Sequence, residues 1–325
     1  MAGDKKYFYG PVPSRRLGRS FGIDIVPFKV CTLDCVYCQL GRTTEKSIER
    51  KAYIPVEPVI AELEESLSRG LKTDYITIAG SGEPTLNSQL GEIIDKIKNI
   101  TDIPVAIVTN GILLYRADVR ADCAKADVVL PSLDAGDEET FRKINRPHPD
   151  ISIEMLISGL CTFRKEYTGQ LWLEVFLVDS INTDTGQIAK IRAIIERINP
   201  DKVQLNTAVR PTAEIGVIKL DFEKLRAISE LLGPDCEIIA DFSYGSITEF
   251  KPGKNSGVIE PDFVAKDTIK TLFSMLKRRP CSLDDICEGM TIARNEAVKY
   301  VTYLRHEGVV STEEKEGKVF FKVVT

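Results

Sequence analysis

Residues 21–38 read FGIDIVPFKVCTLDCVYC, and this stretch decides the fold. Its first seven residues are rich in β-formers and end at a proline, which predicts a short strand. The loop that follows carries Cys31, Cys35 and Cys38. In sheets built from βα units the reactive residues gather on the loops after the strands. We therefore expect these cysteines at the active face of such a sheet.

The same alternation of short strand patterns with longer amphipathic stretches continues along the chain. Strands are predicted over residues 21–27, 75–79, 105–109, 128–133, 171–178 and 202–206, with 237–240 as a seventh candidate. Helical patterns lie between them, for example over 58–69, 90–99, 138–145 and 185–198. Right-handed βα crossovers then predict an α/β fold, a (βα)6 partial TIM barrel, over residues 1–245.

Polar residues stand where four of these strands end. Gly80, Ser81, Gly82 and Glu83 follow the second strand, Thr109 and Asn110 the third, Ser132 and Asp134 the fourth, and Asn182 the fifth. These are the candidate cofactor-binding residues. A polar residue at a strand end is equally typical of caps and turns, so each has a structural alternative.

The composition changes after the last strand candidate. Residues 246–261 are rich in Ser, Gly, Lys and Pro and read as a linker. Residues 262–325 follow with three helical patterns and a β-hairpin pattern, which predicts a winged helix-turn-helix domain. Its third helix offers Arg294, Asn295 and Lys299 to a DNA groove. Acidic residues in the second helix and the wing oppose phosphate binding, so binding of a peptide or partner protein, or covering of the barrel end, is favoured.

Composition narrows the setting. The chain has 325 residues, 43% of them hydrophobic, with a net charge of -5 and a pI near 5.4. No apolar run approaches the roughly 18 residues that a membrane-spanning helix requires, and no signal peptide is recognisable. A cytoplasmic protein with no membrane partner is expected, and any nucleic acid must meet a local basic surface.

The cysteine spacing points to a metal cluster. Three of the eight cysteines fall within eight positions, whereas the other five are scattered and read as small buried residues. Three thiolates on one loop leave one iron of a [4Fe-4S] cube without a protein ligand, which an enzyme can use as an open site. A zinc site completed by a distant residue is the alternative, but the chain has only His148 and His306 and no second paired-cysteine motif.

C-x3-C-x2-C with Tyr37 before its last cysteine resembles the radical S-adenosylmethionine (SAM) superfamily. The resemblance implies that Cys31, Cys35 and Cys38 ligate a [4Fe-4S] cluster whose fourth iron binds SAM, and that Tyr37 lies against the adenine. It further implies that the Gly80–Glu83 segment binds the methionyl amino group, and that Ser132, Asp134 and Asn182 surround the ribose and carboxylate. The implied chemistry is reductive cleavage of SAM to a 5'-deoxyadenosyl radical, supplied with electrons by a flavodoxin or ferredoxin.

A longer string, from Tyr9 through Cys38 to Arg42, resembles iron-sulfur oxidoreductases related to the wybutosine tRNA-modifying radical SAM enzymes. The tRNA-modifying members carry additional upstream cysteines for a second cluster. No cysteine precedes Cys31 here, which counts against the wybutosine-type reaction.

Function beyond SAM cleavage stays open between several classes. The substrate is an RNA, a peptide or a small molecule; tRNA modification and a SAM- or cluster-sensing DNA-binding regulator are the alternatives. A basic group, Arg15, Arg16 and Arg19 with Lys5 and Lys6 upstream, suits a phosphate or carboxylate, or else forms a solvated edge. Arg146 and Arg210 either pair with an anionic ligand or lie at the surface.

Overall fold

The computed structural model describes residues 7–240 except 210 and 215, and 263–324 except 291, 293 and 316. Lys5, Lys6, Arg210 and the predicted linker 246–261 therefore lie outside the described residues. The same holds for the side chains of Arg294, Asn295 and Lys299.

One mixed sheet of eight strands organises most of the chain. Its strand order is β1-β2-β5-β6-β7-β8-β9-β10, and all neighbours are parallel except the antiparallel pair β1 and β2. The strands are β1 Phe8–Ser14, β2 Gly18–Ile23, β5 Tyr75–Ile78, β6 Val105–Val108, β7 Val128–Leu130, β8 Gln170–Leu177, β9 Lys202–Thr207 and β10 Cys236–Ile238. A short parallel pair, β3 Val30–Cys31 and β4 Glu45–Lys46, stands apart from it. All six predicted strands and the seventh candidate are confirmed.

Strand β1 was not predicted. Its sequence, FYGPVPS, contains two prolines, which cannot donate to a ladder and which hide a strand from pattern analysis. Proline is tolerated at an edge, and β1 is an edge strand that pairs with β2 alone. The predicted alternation of strand and helix therefore begins one strand too late, and the sheet is mixed rather than wholly parallel.

Helices follow the parallel strands and cover the sheet. They are α1 Val56–Ser68, α2 Leu90–Ile100, α3 Ala117–Cys123, α4 Glu138–Ile144, α5 Ile153–Glu166, α6 Thr185–Ile198 and α7 Phe222–Leu232. Four of them begin at side-chain caps: Asp137, Ser152, Asp184 and Asp221 each accept a hydrogen bond from the backbone N–H three residues on. Such caps stabilise a helix by about 1 kcal/mol each.

Alternate residues of the strands divide between two cores. Val129 packs with the helices, whereas Val128 and Leu130 pack on the other face with Leu17 and Trp172. The second, smaller core is an apolar plug on the face that the helices do not cover. Because side chains alternate along a strand, the next residues on the plug face are Ser132 after β7 and Glu174 in β8. Both line a cavity that begins where the plug ends.

The C-terminal residues form a second unit around a small antiparallel sheet of order β11-β13-β12. Its elements are α8 Phe263–Arg278, β11 Cys281–Ser282, α9 Leu283–Met290, α10 Arg294–His306, β12 Val310–Lys315 and β13 Lys318–Val323. The three helices and the hairpin match the sequence prediction, and the Ser282 hydroxyl accepts the Asp285 N–H in the first turn of α9. Val12 of β1 belongs to the core of this unit, so the unit packs on the edge strand of the main sheet.

No helix in the described part of the chain combines the length and apolarity that crossing a bilayer requires.

Candidate functional site

A cavity of about 410 Å³ opens beyond the apolar plug, at the carboxyl ends of the parallel strands. This is the volume range of small-molecule sites and the position where ligands bind in α/β sheets. Most of the predicted site residues line it, namely Cys31, Cys35, Tyr37, Cys38, Gly80, Ser81, Gly82, Glu83, Thr109, Asn110 and Ser132.

The three cysteines lie on the segment 24–38 after β2, here called the cluster loop. Backbone hydrogen bonds fix this loop from two sides. The N–H groups of Asp34 and Val36 donate to the carbonyls of residues 145 and 144, at 3.0 Å each. On the other side the Lys29 N–H donates to the Ser81 carbonyl and the Glu83 N–H donates to the Val30 carbonyl. The loop is thus held in place by the protein itself.

The cysteine thiols are in a setting that suits a cationic cluster. Burial raises the pKa of Cys31 to about 12, with the charge of Glu83 as a second cause, and it also raises the pKa of Cys35 and Cys38. Thiolates at such positions require a compensating positive charge, which iron supplies. Among the described residues no three Cys, His, Asp or Glu side chains converge on a single-ion site.

Two amides prepare the loop for thiolates. Asn110 Nδ2 lies 3.5 Å from Cys31 Sγ and also donates to Thr32 Oγ1 at 2.8 Å. Asn145 Nδ2 lies 3.4 Å from Cys35 Sγ. N–H donors near sulfur stabilise the deprotonated form and tune a bound cluster. The donor set, three thiols with adjacent N–H groups, fits a [4Fe-4S] cluster.

Glu83 is the hydrogen-bonding centre of the cavity wall. Its Oε1 accepts from Thr85 and Thr109, both Oγ1 atoms at 2.6 Å, and its Oε2 accepts the Asn110 N–H at 2.8 Å. Burial nevertheless raises its pKa above the ordinary value. Oε2 accepts only one of these bonds, so it retains a lone pair for a cationic donor in the cavity.

The glycines of this segment are required by packing. A Cβ on Gly82 would lie 2.1 Å from the Val30 carbonyl oxygen, and Gly80 has a φ of +135° beside Asp24. The strand-end segment therefore sits directly against the backbone of the cluster loop. Ser81 is held by Asp24, which accepts from both its backbone N–H and its hydroxyl.

Tyr37 is fixed by its ring and by its hydroxyl. The ring stacks on Phe176, with centroids 3.9 Å apart and planes 10° from parallel. The hydroxyl donates to Asp134 Oδ2, which also accepts from Asn145 Nδ2 at 2.7 Å. Burial raises the pKa of Asp134 to about 6 despite these donors. Asp134 thus positions Tyr37 from behind instead of lining the cavity.

Asn182 is not brought to the cavity. It is fully buried, and its amide is satisfied by backbone: Nδ2 donates to the carbonyls of Asp134 and Phe176, and Oδ1 accepts the Val178 N–H. These contacts are those of a turn-forming residue, which is the structural alternative given for a polar residue at a strand end.

Sequence reasoning missed several polar residues of the site, among them Glu174, Asn206 and Asn145. Glu174 and Asn206 lie on the cavity wall, where Asn206 Nδ2 donates to Glu174 Oε1 at 2.8 Å. Asn145 joins the cluster loop to Asp134. A carboxylate in the otherwise apolar run of β8 was a readable signal for Glu174. The sequence around Asn145 carried no such signal, because its partners Cys35 and Asp134 come close to it only in the folded chain.

The basic residues divide between cavity and surface. Arg16 forms an ion pair with Glu174 at 3.1 Å, and Arg15 Nη1 donates to Asn206 at 3.3 Å; both line the cavity. Arg19 is exposed. Arg146 is half-buried, pairs with Glu214 at 2.8 Å and is not among the lining residues.

Comparisons with known proteins agree with this arrangement. A family model described as the Radical SAM superfamily matches residues 25–184. A UPF0026 protein of Methanocaldococcus jannaschii is 33% identical over 317 residues, which cover 96% of this chain and 94% of that protein. A Brachyspira hyodysenteriae protein named GTPase Obg is 41% identical over 311 residues. That match covers 96% of this chain but 44% of the relative, so the chain spans less than half of that protein.

A solved structure shares the fold. TYW1 with a lysine-pyruvate adduct bound superposes with a TM-score of 0.52 at 21% identity, covering 71% of this chain and 78% of that chain. The superfamily match begins in the cluster loop, six residues before Cys31, and runs past the last strand-end segment predicted from sequence. The chain belongs to the radical SAM superfamily and, within it, to the family of the UPF0026 proteins.

Proposed function

We propose that this chain is an enzyme that cleaves SAM reductively and directs the resulting radical to a substrate bound in the same cavity. One observation carries the proposal: the three thiols of the cluster loop and the Glu83 carboxylate line a single cavity of small-molecule size. An iron-sulfur cluster that served only electron storage or structure would need no amine-binding carboxylate beside it.

The cofactors are those of the superfamily, a [4Fe-4S] cluster and SAM. When bound, they supply the electron transfer and the 5'-deoxyadenosyl radical that no side chain can provide. Cys31, Cys35 and Cys38 would hold the cluster. Superfamily members are enzymes, and the reductant for this one is proposed to be a flavodoxin or ferredoxin type of protein in a reducing cytoplasm.

The protein's own contribution is to bind and orient SAM. Glu83 Oε2 is placed to accept from the methionyl ammonium, because it lines the cavity and has acceptor capacity left. The Tyr37 ring is held face to face with Phe176, so it offers a fixed apolar edge for the adenine. Ser81, Asn110 and Ser132 add hydroxyl and amide groups along the same wall.

We assign the C-terminal unit as a winged helix, since its element order is helix, strand, helix, helix, strand, strand. Its proposed role is to cover the barrel. Val12 of β1 lies in its core, and Met275, Arg278 and Arg279 line the cavity. A DNA-binding regulator would keep this unit free to meet a duplex instead of using it as a cavity wall.

The first test is SAM cleavage after anaerobic reconstitution with iron and sulfide. With dithionite and SAM, the wild-type chain should release 5'-deoxyadenosine, and Cys35→Ala should lose at least about a hundredfold of that rate because one cluster ligand is gone. Cys161→Ala is the matched control, since Cys161 packs against the core outside the cavity.

Iron content and the visible absorption of the cluster are measured on all three proteins. A wild-type protein that binds four irons yet forms no 5'-deoxyadenosine contradicts the proposed reaction. A Cys35→Ala variant that keeps both the cluster and the rate contradicts the assignment of the ligands.

A further inference from the structure

The end of helix α8 forms a wall of the cavity. Arg278 closes this helix, Arg279 follows it, and both line the cavity together with Met275. Their position is set by apolar packing, because Met275 and Leu272 share a buried core with Val12 of β1. We call the two guanidinium groups the arginine wall.

Both arginines have a buried N–H group without a hydrogen-bond acceptor. In the part of the chain that the structure describes, four buried side-chain polar atoms lack a partner, and two of them are Arg278 Nε and Arg279 Nη2. An unsatisfied buried donor costs about 1–3 kcal/mol, and more when it is charged. Two such donors on neighbouring residues in one cavity indicate that a ligand completes them.

Arg278 is otherwise well anchored. Its Nη1 donates to the Ser274 carbonyl at 2.7 Å, and its guanidinium lies 4.1 Å from the centroid of the Tyr9 ring. The nearest carboxylate oxygen, Asp24 Oδ2, is 3.5 Å from Nε, which is an ion-pair distance but not a hydrogen bond. Its orientation is therefore fixed before any ligand arrives.

The positive charge of Arg279 is less neutralised by carboxylates than that of Arg278. No carboxylate of the described residues lies within ion-pair distance of it. Burial opposes the charge of Arg279, whereas Cys281 and Asp285 favour it, and the Asp285 carboxylate already accepts from the backbone N–H and the hydroxyl of Ser282. By contrast Arg16, on the same cavity, is paired with Glu174.

The charges around the cavity also favour an anionic ligand. Among the residues that the structure describes, five cationic side chains line it, namely Arg15, Arg16, Lys29, Arg278 and Arg279, against the two carboxylates of Glu83 and Glu174. Unsatisfied guanidinium donors on two adjacent cavity-lining residues suit the oxygens of a carboxylate or phosphate group.

We infer that the substrate of this cavity is a small molecule with an anionic group, a carboxylate or a phosphate, and that this group accepts hydrogen bonds from Arg278 Nε and Arg279 Nη2. The inference rests on the proposed function, since it names the substrate class of that same site. A small molecule is favoured over RNA because the cavity, of about 410 Å³, has the volume of small-molecule sites. The C-terminal unit then takes part in substrate binding.

The test measures anion binding to the reconstituted protein saturated with SAM. Inorganic pyrophosphate and malonate serve as phosphate and carboxylate probes in anaerobic equilibrium dialysis with labelled anions. We expect one probe to bind saturably, and Arg279→Gln to weaken it at least about tenfold, as loss of a charged hydrogen bond requires. Arg279→Lys should recover part of the affinity because it keeps the charge. The probe that binds more tightly identifies the anionic group.

Lys277→Gln is the matched control. It removes the same charge two residues away, in the last turn of α8, but Lys277 is exposed, lies over the Phe273 ring and does not line the cavity. We expect its anion affinity to equal that of the wild type. Saturable binding of neither probe overturns the inference, and so does equal loss in Arg279→Gln and Lys277→Gln.

SAM affinity measured on the same proteins separates the two proposals. If Arg279→Gln weakens SAM by the same factor as the probe, the arginine wall serves the SAM carboxylate and the substrate inference fails. Formation of 5'-deoxyadenosine by the wild type and by Lys277→Gln reports on the proposed function alone. If the protein cleaves SAM but binds neither anion, the proposed function stands and the inferred substrate class is wrong.

Discussion

The two sides of the cavity are built in opposite ways. On the side of the cluster loop, each buried polar group described above has a partner within the protein, and backbone hydrogen bonds join the loop to residues 80–83 and 144–148. On the side of the arginine wall, two charged donors are buried without acceptors. On the first side the protein itself fixes the side chains in position, as expected of a surface that must hold a cofactor in one geometry. The second side becomes complete only when a ligand binds.

The difference also follows the order of the chain. The cluster side is formed by strand ends of one sheet, whose spacing is fixed by the hydrogen-bonded ladders. The arginine wall comes from a separate unit that reaches the cavity by packing on edge strand β1. The proposed cofactor binding thus depends on the sheet, whereas the proposed substrate binding depends on the contact between two units.

The largest expected effect comes from disturbing the contact between the cluster loop and its neighbour. In Gly82→Ala the new Cβ would lie 2.1 Å from the Val30 carbonyl oxygen, next to Cys31, so the cluster loop must shift. Because backbone cannot yield as a side-chain end does, we expect iron incorporation to fall at least about tenfold. Iron and acid-labile sulfide are measured after anaerobic reconstitution.

Gly216→Ala is the control for Gly82→Ala, because a Cβ on Gly216 would meet nothing within 4 Å. It should reconstitute like the wild type. A Gly82→Ala protein with a full cluster and wild-type SAM cleavage would show that the cluster loop tolerates displacement. The cluster side would then not need the fixed geometry described for it.

A smaller effect is expected from an arginine that already has its partner. Arg16 and Glu174 form an ion pair at 3.1 Å with side chains only 18% and 11% exposed. Arg16→Gln leaves the Glu174 carboxylate buried with one neutral donor, Asn206, so we expect the free energy of unfolding to fall by about 2 kcal/mol. Anaerobic urea denaturation of the cluster-free protein measures it.

Arg19→Gln is the control for Arg16→Gln, since Arg19 lies three residues away with an exposed side chain. Its unfolding free energy should change by less than about 0.5 kcal/mol. If Arg16→Gln and Arg19→Gln lose the same unfolding free energy, the ion pair of Arg16 does not stabilise the protein. Arg16 would then not differ in this respect from the arginine wall.

The sequence predicted the cluster side far better than the arginine side. Strands β2 and β5 to β9 were readable because each is a short run of β-formers, and the loops after them carried the polar motifs. Glu83, Ser132 and the three cysteines therefore reach the cavity as expected. Asn182 follows a strand in the same way, yet it folds back onto backbone groups, a choice that its sequence position cannot reveal.

The remaining features depend on tertiary contacts. Strand β1 is concealed by its prolines, and without β1 there is no surface on which the C-terminal unit packs. Arg278 and Arg279 then read as two ordinary basic residues at a helix end, a position that basic residues commonly occupy. Only the packed structure shows that they face the same cavity as Cys31.

The smallest predicted effect separates the ring of Tyr37 from its hydroxyl. In Tyr37→Phe the stacking on Phe176 is retained, while Asp134 loses one donor and keeps the Asn145 amide and the Phe176 N–H. We expect the free energy of unfolding to fall by about 1 kcal/mol, the net value of one hydrogen bond, and SAM affinity to change less than about threefold. Tyr53→Phe is the matched control, since the Tyr53 hydroxyl is buried with no hydrogen-bond partner in the described structure and its removal should not destabilise the protein. If Tyr37→Phe loses SAM binding altogether, the Tyr37 hydroxyl itself contacts SAM. The cluster side of the cavity then also contains a hydrogen-bond donor that serves the ligand.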